Sequence, residues 1–569
     1  MRYKGKNNTL KNIFKAFIVI ILIMVFMVLV KKFLPSFDKI NYRDSVYLAK
    51  EEIGINMQFD YISMKNVPIY KDDEIYLPID FVKKYIDNYI YWDKDENKLT
   101  ITNENNVIRM KTDEMQYFVN NKPLELDLPI YNIEGVAYMS KLFLEDFYDL
   151  KFEYIEKTKM LSIIKDDYKK AIVSKKTKVR KEASKKSPYI EKLKKGDTVY
   201  FNEISQNEYT KIETDSGYVG FVPTNILDSI EDVKIDNNYK NDYVAKAPWN
   251  VENGKINLVF DQIQRVEANS SDNRRVYHDG VDVLVPTWFS FKDEGGQILN
   301  IADKGYVDFA HKNGYKVWTL VTDNFDKKIS HGILSSTETR EYVIKQLLAF
   351  VSMYDLDGIN IDFESVPNED GDNFIQFLRE LAPALREEGA VLSVDLFVPK
   401  PWTAHYNRNE VGKIVDYVIV MGYDEHYAGS KNAGSVASMS WSEIAVKDTL
   451  KEGVPKEKLI LGIPFYTRVW TETLEDNKLK LSSKAYGMNG AYNFIEEKNG
   501  TFTFDEKTGQ TYGEAKEDNK TYKVWLEDEK SIEKRIDFVL KYDIAGAGAW
   551  KRGLEKEEIW PILKEKLKK

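Results

Sequence analysis

The second half of the sequence predicts an α/β fold, a closed barrel of eight parallel strands. Short apolar runs and longer helical patterns alternate there, and a short apolar run is typical of a strand buried on both faces. Eight such runs occur: INLVFDQ, VDVLVPTWFS, YKVWTLVTDNF, LDGINIDFE, AVLSVDLFV, VDYVIVMGYD, KLILGIPFY and IAGAGAW. Helical patterns such as SSTETREYVIKQLLAFVSMY separate them. This alternation predicts a (β/α)8 TIM barrel, in which functional residues lie at the carboxyl ends of the strands.

One of these runs has apolar side chains on one face and polar side chains on the other. In DGINIDFE, residues 357–364, apolar side chains alternate with Asn360, Asp362 and Glu364. An alternating strand is usually half-buried with a solvated polar face, but the flanking sequence here is typical of a buried parallel strand. Carboxylates that line a core are unfavourable unless they are paired, hydrogen-bonded or used in chemistry. The pattern therefore favours a catalytic strand over a solvated one.

The spacing of the two carboxylates indicates acid catalysis. Asp362 and Glu364 are two residues apart, so their side chains leave the same face of the strand. An ionised carboxylate raises the proton affinity of its neighbour, which keeps a Glu protonated near neutral pH. A protonated Glu can serve as a general acid. We therefore expect Glu364 to be the acid and Asp362 to assist it.

DGINIDFE resembles the DGxxDxDxE signature of glycoside hydrolase family 18, with Asn360 at the first Asp of the triplet. The resemblance covers about residues 252–569, and it is greatest for the branch that acts on bacterial cell walls and spore cortex. It implies that Glu364 protonates the glycosidic oxygen while the 2-acetamido oxygen of the substrate attacks the anomeric carbon. It implies no enzyme nucleophile and no cofactor, and it makes Asn360 a substrate-site candidate.

Further positions match the motifs of this family. VMGYD at the end of the sixth run matches M-x-Y-[DN], which makes Met421, Tyr423 and Asp424 site candidates. The resemblance implies that Tyr423 and Asp362 hold the acetamido group. Trp550, which closes GAGAW, matches the Trp on which the sugar stacks, although a packed core Trp is the alternative.

Two more aromatic residues end strands and are candidates for sugar binding. Tyr466 follows GIP in the seventh run, and Trp288 lies in the second run. Packing within loops is an equally good explanation for both. A metal site is not expected, because none of the histidines is paired at metal-ligand spacing. They are His278, His311, His331, His405 and His426.

Residues 1–36 predict a membrane anchor. Five cationic residues precede the uncharged apolar run Ala16 to Val30, and two lysines follow it. The run gives about 22 Å of helix against a hydrocarbon core of about 30 Å, a difference that snorkelling lysines and flanking apolar residues could make up. A cleaved signal peptide is the alternative, but no small-x-small site follows. The charge bias predicts a cytoplasmic N-terminus, a single-pass cell membrane protein and an extracellular catalytic domain, in a Gram-positive-type bacterium.

Two smaller domains are expected between the anchor and the barrel. Residues 65–166 contain an internal repeat in which each half reads as strand, helix and hairpin. This α+β repeat resembles the domain named after the copper amine oxidase N-terminus, although a copper site is excluded because the segment has no His or Cys. Residues 170–230 resemble a small bacterial SH3-like β-barrel. A polar linker, about residues 228–250, then leads to the catalytic domain at 252–569.

Composition excludes several classes of function. The chain has 569 residues, no cysteine and a net charge of −9, which exclude disulfides and thiolate metal sites and argue against a nucleic-acid partner. The resemblance to glycoside hydrolase family 18 implies that the partner is peptidoglycan or another N-acetylglucosamine polymer, cleaved at β-1,4 bonds after N-acetylglucosamine. A chitinase and a catalytically silent wall-binding lectin are the alternatives. The sequence leaves the oligomeric state open.

Overall fold

The computed structural model describes residues 6–235, 248–475 and 478–568. They form two compact units. The first comprises Met1–Asn88, Thr112–Met115 and Leu126–Lys240, and the second comprises Tyr89–Lys111, Gln116–Glu125 and Asn241–Lys569. Most of the predicted linker, at 236–247, lies outside the described residues.

The second unit contains the predicted barrel. Its eight parallel strands are β1 Ile256–Asp261, β2 Val283–Pro286, β3 Lys316–Thr322, β4 Gly358–Asp362, β5 Val391–Phe397, β6 Tyr417–Met421, β7 Leu459–Pro464 and β8 Gly546–Trp550. Neighbouring strands are paired in sequence order, and β1 pairs with β8, so the sheet closes on itself. The predicted α/β class and eight-stranded barrel are confirmed.

Helices surround this barrel and bury its outer face. They are α1 Lys304–Lys312, α2 Lys327–Ser335, α3 Thr337–Tyr354, α4 Gly371–Glu387, α5 Arg408–Ile414, α6 Met439–Lys451, α8 Glu529–Lys541 and α9 Ile559–Leu567. Helix α7 Met488–Glu497 packs instead on a sheet that is inserted between β7 and β8. Side chains of Asp303, Asp326 and Ser336 cap the N-termini of helices α1, α2 and α3. The strands between them are apolar on both faces because helices cover one side and the barrel core fills the other.

A five-stranded antiparallel sheet is inserted between β7 and β8. Its strands are Tyr466–Glu475, Lys478–Gly487, Thr501–Asp505, Gln510–Glu517 and Lys520–Trp525. The insertion starts directly after β7, so its first residue, Tyr466, stands at the carboxyl end of the barrel. A short hairpin, Phe289–Phe291 with Ile298–Asn300, follows β2.

A second five-stranded antiparallel sheet belongs to the same unit although it precedes the barrel in sequence. We call it the docked sheet. Its strands are Tyr91–Asp93, Lys98–Thr102, Val107–Lys111, Gln116–Val119 and Lys122–Glu125. It contacts helices α3 and α4 through hydrogen bonds and salt bridges.

The first unit contains the strand–helix pairs of the predicted repeat. Strand Glu74–Pro78 leads into helix Ile79–Tyr85, and strand Val136–Ser140 leads into helix Lys141–Tyr148. The two strands pair with each other in a sheet completed by Ile69–Lys71 and Tyr131–Ile133. The hairpins that follow them diverge. The second, Lys151–Ile155 with Met160–Ile164, joins Gly54–Met57 and Asp60–Ile62, whereas the first, Tyr91–Asp93 with Lys98–Thr102, is part of the docked sheet.

The remaining sheet of the first unit covers the region predicted to be SH3-like. Its seven strands are Tyr168–Val173, Thr177–Arg180, Tyr189–Leu193, Thr198–Phe201, Tyr209–Thr214, Val219–Pro223 and Leu227–Val233. They enclose a small apolar core that includes Val179, Phe201 and Ile212. The SH3-like identity of this sheet stays a prediction.

The predicted membrane anchor is wrong. Residues Lys6–Phe33 form a helix, with a short second helix at Tyr42–Ser45. Among the helices of the described ranges, none is long and apolar enough to span a bilayer. The physical reason is the length of the uncharged run, which gives about 22 Å of helix where about 30 Å is needed. The predicted membrane partner and single-pass location are withdrawn with it.

Candidate active site

The candidate site lies at the carboxyl end of β4. All five residues of this strand are buried, and Asp362 is its last residue. Glu364 follows two positions later and is half-buried. Side chains at this end of a parallel barrel converge on one opening, because all the strands end there.

Asn360 lies deeper in the barrel than the sequence predicts for a substrate-binding residue. Its side chain is fully buried, and its amide donates hydrogen bonds to Ser393 Oγ and Asp395 Oδ1, each at 3.0 Å. The residue therefore orients Asp395 on the neighbouring strand and does not line the cavity described below. This corrects its predicted role.

Asp395 is a candidate site residue that the sequence reasoning missed. It lies in β5 with 5% of its surface exposed, and it faces the cavity beside Asp362. Burial raises the pKa of Asp395 to about 8, against the lowering effect of the Asn360 hydrogen bond. The available signal was a single Asp inside the apolar run AVLSVDLFV.

Burial and the neighbouring carboxyl groups raise the pKa values of the acidic residues in the site. Burial, and then Asp395 and Asp323, raise the pKa of Asp362 well above its usual range. Burial, and then Asp362, Asp323 and Asp424, raise the pKa of Glu364 to about 9. The neighbours that shift Glu364 are all acidic, so they add to the effect of burial. Glu364 consequently keeps its proton at neutral pH.

Asp323 supports the loop that carries Glu364. It follows β3 and is fully buried. Its Oδ2 accepts hydrogen bonds from Ser330 Oγ at 2.6 Å and from the backbone N of Ser365 at 2.8 Å. It thereby ties the residue after Glu364 to helix α2. The sequence reasoning missed Asp323 as well, and its only signal was an Asp directly after VWTLVT.

A cavity of about 690 Å³ opens above these carboxyls. Seven of the nine predicted site residues line it: Asp362, Glu364, Met421, Tyr423, Asp424, Tyr466 and Trp550. Strands β4, β6 and β8 and the start of the insertion supply them. The cavity is therefore built from residues far apart in sequence that share one end of the barrel.

Aromatic side chains that line this cavity are fixed by contacts with their neighbours. The hydroxyl of Tyr466 donates to Asp424 Oδ1 at 2.5 Å, and the ring of Tyr466 meets that of Tyr423 edge-on at 6.2 Å. Burial raises the pKa of Tyr423 well above its usual range, so its hydroxyl remains a hydrogen-bond donor. The half-buried Trp550 packs against Phe260, with ring centroids 5.4 Å apart.

Trp288 does not take part in this site. Its side chain is 1% exposed, its Nε1 donates to Asn269 Oδ1 at 2.7 Å, and its ring packs edge-on against Tyr306. The prediction that it binds substrate is corrected, because an indole whose polar atom and faces are all satisfied inside the core has no surface to offer a ligand.

Three exposed aromatic residues at the mouth of the cavity were not predicted. Phe325, Trp402 and Tyr427 are 64%, 61% and 56% exposed, and all three line the opening. Phe325 and Tyr427 follow the third and sixth apolar runs closely, so position at a strand end was the available signal. Exposed aromatic faces are surfaces on which sugar rings can stack.

Two family models match this chain. Glycosyl hydrolases family 18 matches residues 309–555, and the Copper amine oxidase N-terminal domain matches residues 56–163. The first range contains β4, the loop with Glu364 and every lining residue named above for the cavity.

Curated relatives and a solved structure resemble the barrel. The chain is 27% identical over 317 residues to the uncharacterized glycosylase YvbX of Bacillus subtilis, covering 51% of this chain and 86% of that protein. It is 32% identical over 158 residues to the putative sporulation-specific glycosylase YdhD of the same organism, covering 27% of this chain and 37% of YdhD.

The solved structure is the spore cortex-lytic enzyme SleL of Bacillus cereus. It aligns with a TM-score of 0.50 and 17% identity, covering 66% of this chain and 89% of SleL. At that identity the likeness concerns the fold. The fold of SleL and the family match concern the same part of this chain: residues 309–555 form a domain that matches glycosyl hydrolases family 18.

Proposed function

We propose that this protein hydrolyses β-1,4 bonds after N-acetylglucosamine in peptidoglycan, by a retaining mechanism in which the substrate supplies the nucleophile. The observation that carries the proposal is that Glu364, Asp362 and Asp395 line one cavity, where burial and the acidic neighbours raise the pKa of Glu364 to about 9. A sugar ring fits a cavity of this size, and Trp550 and Tyr423 line its walls.

Glu364 is the general acid of this proposal. With a pKa raised to about 9, it holds a proton at neutral pH and can give it to the glycosidic oxygen as that bond breaks. The leaving sugar departs with this proton. In the second half of the reaction a water adds to the anomeric carbon, the bond from that carbon to the acetamido oxygen breaks, and a proton of the water returns to Glu364.

Asp362 and Tyr423 would hold the acetamido group. Asp362 Oδ1 is buried and, in the described part of the chain, has no hydrogen-bond partner, so it can accept the acetamido N–H. Tyr423 can donate to the acetamido oxygen. Held in this way, that oxygen forms a bond to the anomeric carbon while the bond to the leaving oxygen breaks, and the configuration is retained after hydrolysis.

Peptidoglycan is preferred over chitin on two grounds. YdhD, the relative with the higher identity of the two reported, is described as sporulation-specific. The residues before the barrel comprise the copper amine oxidase N-terminal match and the seven-stranded sheet predicted to be SH3-like, and both suit contact with a cell wall. A wall-binding lectin is disfavoured because sugar binding alone does not require a glutamate with a raised pKa, whereas acid catalysis by Glu364 does.

Mass spectrometry of digestion products tests this proposal. Purified peptidoglycan and chitin oligomers are incubated with the protein, and Glu364→Gln serves as the control for background cleavage. We expect peptidoglycan fragments with reducing N-acetylglucosamine ends, and none from the control. Reducing N-acetylmuramic acid ends would contradict the bond assignment. Cleavage of chitin oligomers alone would contradict the substrate.

A further inference from the structure

A second cavity, of about 780 Å³, lies beside the first, and we call it the outer groove. The two share Glu364 and Trp402 as lining residues. The outer groove extends from Glu364 between helix α2 and the loops after β4 and β5. A branch of a substrate whose reacting bond lies at Glu364 can therefore reach the outer groove.

The helix α2 side of the outer groove is cationic. Lys327 and Lys328 are both exposed and line it. Among the residues that the structure describes, neither ammonium group takes part in a salt bridge. Glu294 and Glu369 also line the groove, and Glu294 lies against Gly332 of helix α2, so the lining carries both signs of charge. A neutral polysaccharide offers no charged group to these side chains.

The cationic wall is held in place by a chain of hydrogen bonds. His331 lies one turn after Lys327, and its Nδ1 is 2.8 Å from Asp370 Oδ2. Asp370 Oδ1 accepts from Asn373 Nδ2 at 2.9 Å, and Asn373 Oδ1 accepts from the hydroxyl of Tyr91 in the docked sheet at 3.0 Å. Asp370 is 2% exposed, so this anchor of helix α2 is shielded from water. The lysines are thus carried on a preorganised helix.

We propose that the outer groove binds the peptide branch of the sugar on the leaving side, with Lys327 and Lys328 contacting its carboxylates. This inference rests on the proposed function and deepens it. Chitin carries neither peptide nor carboxylate, whereas the muramic sugar of peptidoglycan carries both through its lactyl group. The groove begins at the residue that protonates the leaving oxygen, and its unpaired cations match the charge of that branch.

Kinetics on matched glycans test the groove. Soluble peptidoglycan strands are used with their peptides and after enzymatic removal of the peptides. We expect Lys327→Ala with Lys328→Ala to lower kcat/KM on peptide-bearing strands about fivefold to tenfold, mainly through KM, since exposed charge pairs are individually weak. Peptide-free strands keep a lactyl carboxylate close to the sugar but have lost the carboxylates of the peptide, so their turnover should change much less. The matched control is Lys312→Ala with Lys530→Ala, two exposed lysines that line neither cavity.

Binding to an inactive background separates this inference from the proposed function. Calorimetric titration of Glu364→Gln should show tighter binding of peptide-bearing than of peptide-free strands, and adding the two groove substitutions should abolish the difference. Equal binding of peptide-bearing and peptide-free strands would contradict the proposal that the outer groove binds the peptide branch. Equal losses of binding on both kinds of strand after the two lysine substitutions would contradict it as well. A binding preference without any turnover by the unmodified protein would support the groove and overturn the proposed reaction.

Discussion

Two glutamates in the barrel unit, the buried Glu380 and the half-buried Glu364, have pKa values shifted in opposite directions. Burial raises the pKa of each, but Arg340 and Arg109 more than offset it at Glu380, whose pKa is lowered. At Glu364 the neighbours are carboxyls, and the pKa rises to about 9. Burial alone therefore does not separate a structural charge from a catalytic one. The sign of the neighbouring charges does.

The paired glutamate lies where the docked sheet meets helices α3 and α4. Arg340 Nε and Arg109 Nη2 each donate to Glu380 at 3.1 Å, and Gln376 Nε2 donates at 2.9 Å. Asp93 of the docked sheet accepts from the backbone N and the hydroxyl of Thr337 at the start of α3. Every charge in this region has a hydrogen-bonded partner, so the region stabilises the fold. Among the residues that the structure describes, the carboxyls of Asp362 and Glu364 have no such partner, so they are available to a substrate.

The largest expected effect is on turnover. Glu364→Gln keeps the shape of the side chain but has no transferable proton, so kcat should fall about 10²- to 10⁴-fold. The free energy of unfolding should not decrease, because no paired interaction is removed. Steady-state kinetics and circular dichroism measure the two quantities. Retention of more than about a tenth of wild-type kcat would place the acid elsewhere.

The next largest effect is on stability, at the paired glutamate. Glu380→Gln leaves Arg340 buried without its counter-charge, which should lower the free energy of unfolding by about 3–5 kcal/mol. The value of kcat should stay near that of wild type at 25 °C. Urea unfolding gives the stability. As a control, replacing both partners, Arg340→Met with Glu380→Leu, should recover much of the loss. An unchanged urea midpoint of unfolding for Glu380→Gln would contradict the view that Glu380, unlike Glu364, stabilises the fold.

A smaller effect is expected in the pH dependence of turnover. Glu364 must be protonated to act, so kcat/KM should fall as pH rises through a pKa of about 9. Asp362→Asn removes a neighbouring charge that raises this pKa, so the alkaline limb should move to lower pH. A complete pH–rate profile of both proteins measures the shift. A limb that stays in place would mean that Asp362 does not tune Glu364.

The smallest effect is on Tm as a function of pH. Glu364 has a folded pKa of about 9 against an ordinary value of 4.5, so its contribution is fully present below 4.5 and is lost as pH rises towards 9. Glu364→Gln does not titrate, so its Tm should exceed that of wild type by a growing margin over this range. Glu380, with its lowered pKa, behaves oppositely: its contribution is lost as pH falls. Calorimetric scans of the two proteins from pH 5 to pH 9 test this, and parallel curves would contradict it.

The sequence predicted the parts of the site that lie within one motif. DGINIDFE indicates a strand with Asp362 and Glu364 on one face, and the structure places both at one cavity. Asp395 and Asp323 were missed because each is a lone acid in its own run. They act on β4 because parallel strand pairing places β3 and β5 on either side of it, and that pairing joins residues far apart in sequence.

Other errors have local physical causes. Trp288 ends a strand run like Trp550, but its chain continues into a hairpin that packs the indole against Tyr306. The sequence pattern alone does not show whether the end of a strand faces a cavity or is covered by other residues. Likewise, the two halves of the repeat look alike in sequence, yet the hairpin with Asp93 belongs to the docked sheet, where Asp93 and Arg109 pair with the barrel helices.

The protonation state of Glu364 tests the central claim most directly. The carboxyl carbon of an isotope-labelled glutamate has different NMR shifts in its neutral and ionised forms, and a difference spectrum against Glu364→Gln isolates this one residue. The same subtraction with Glu380→Gln provides the paired glutamate as reference. We predict that at pH 7 Glu364 is neutral and Glu380 is ionised. A Glu364 signal that is already ionised at pH 7 and titrates near 4.5 would contradict the account.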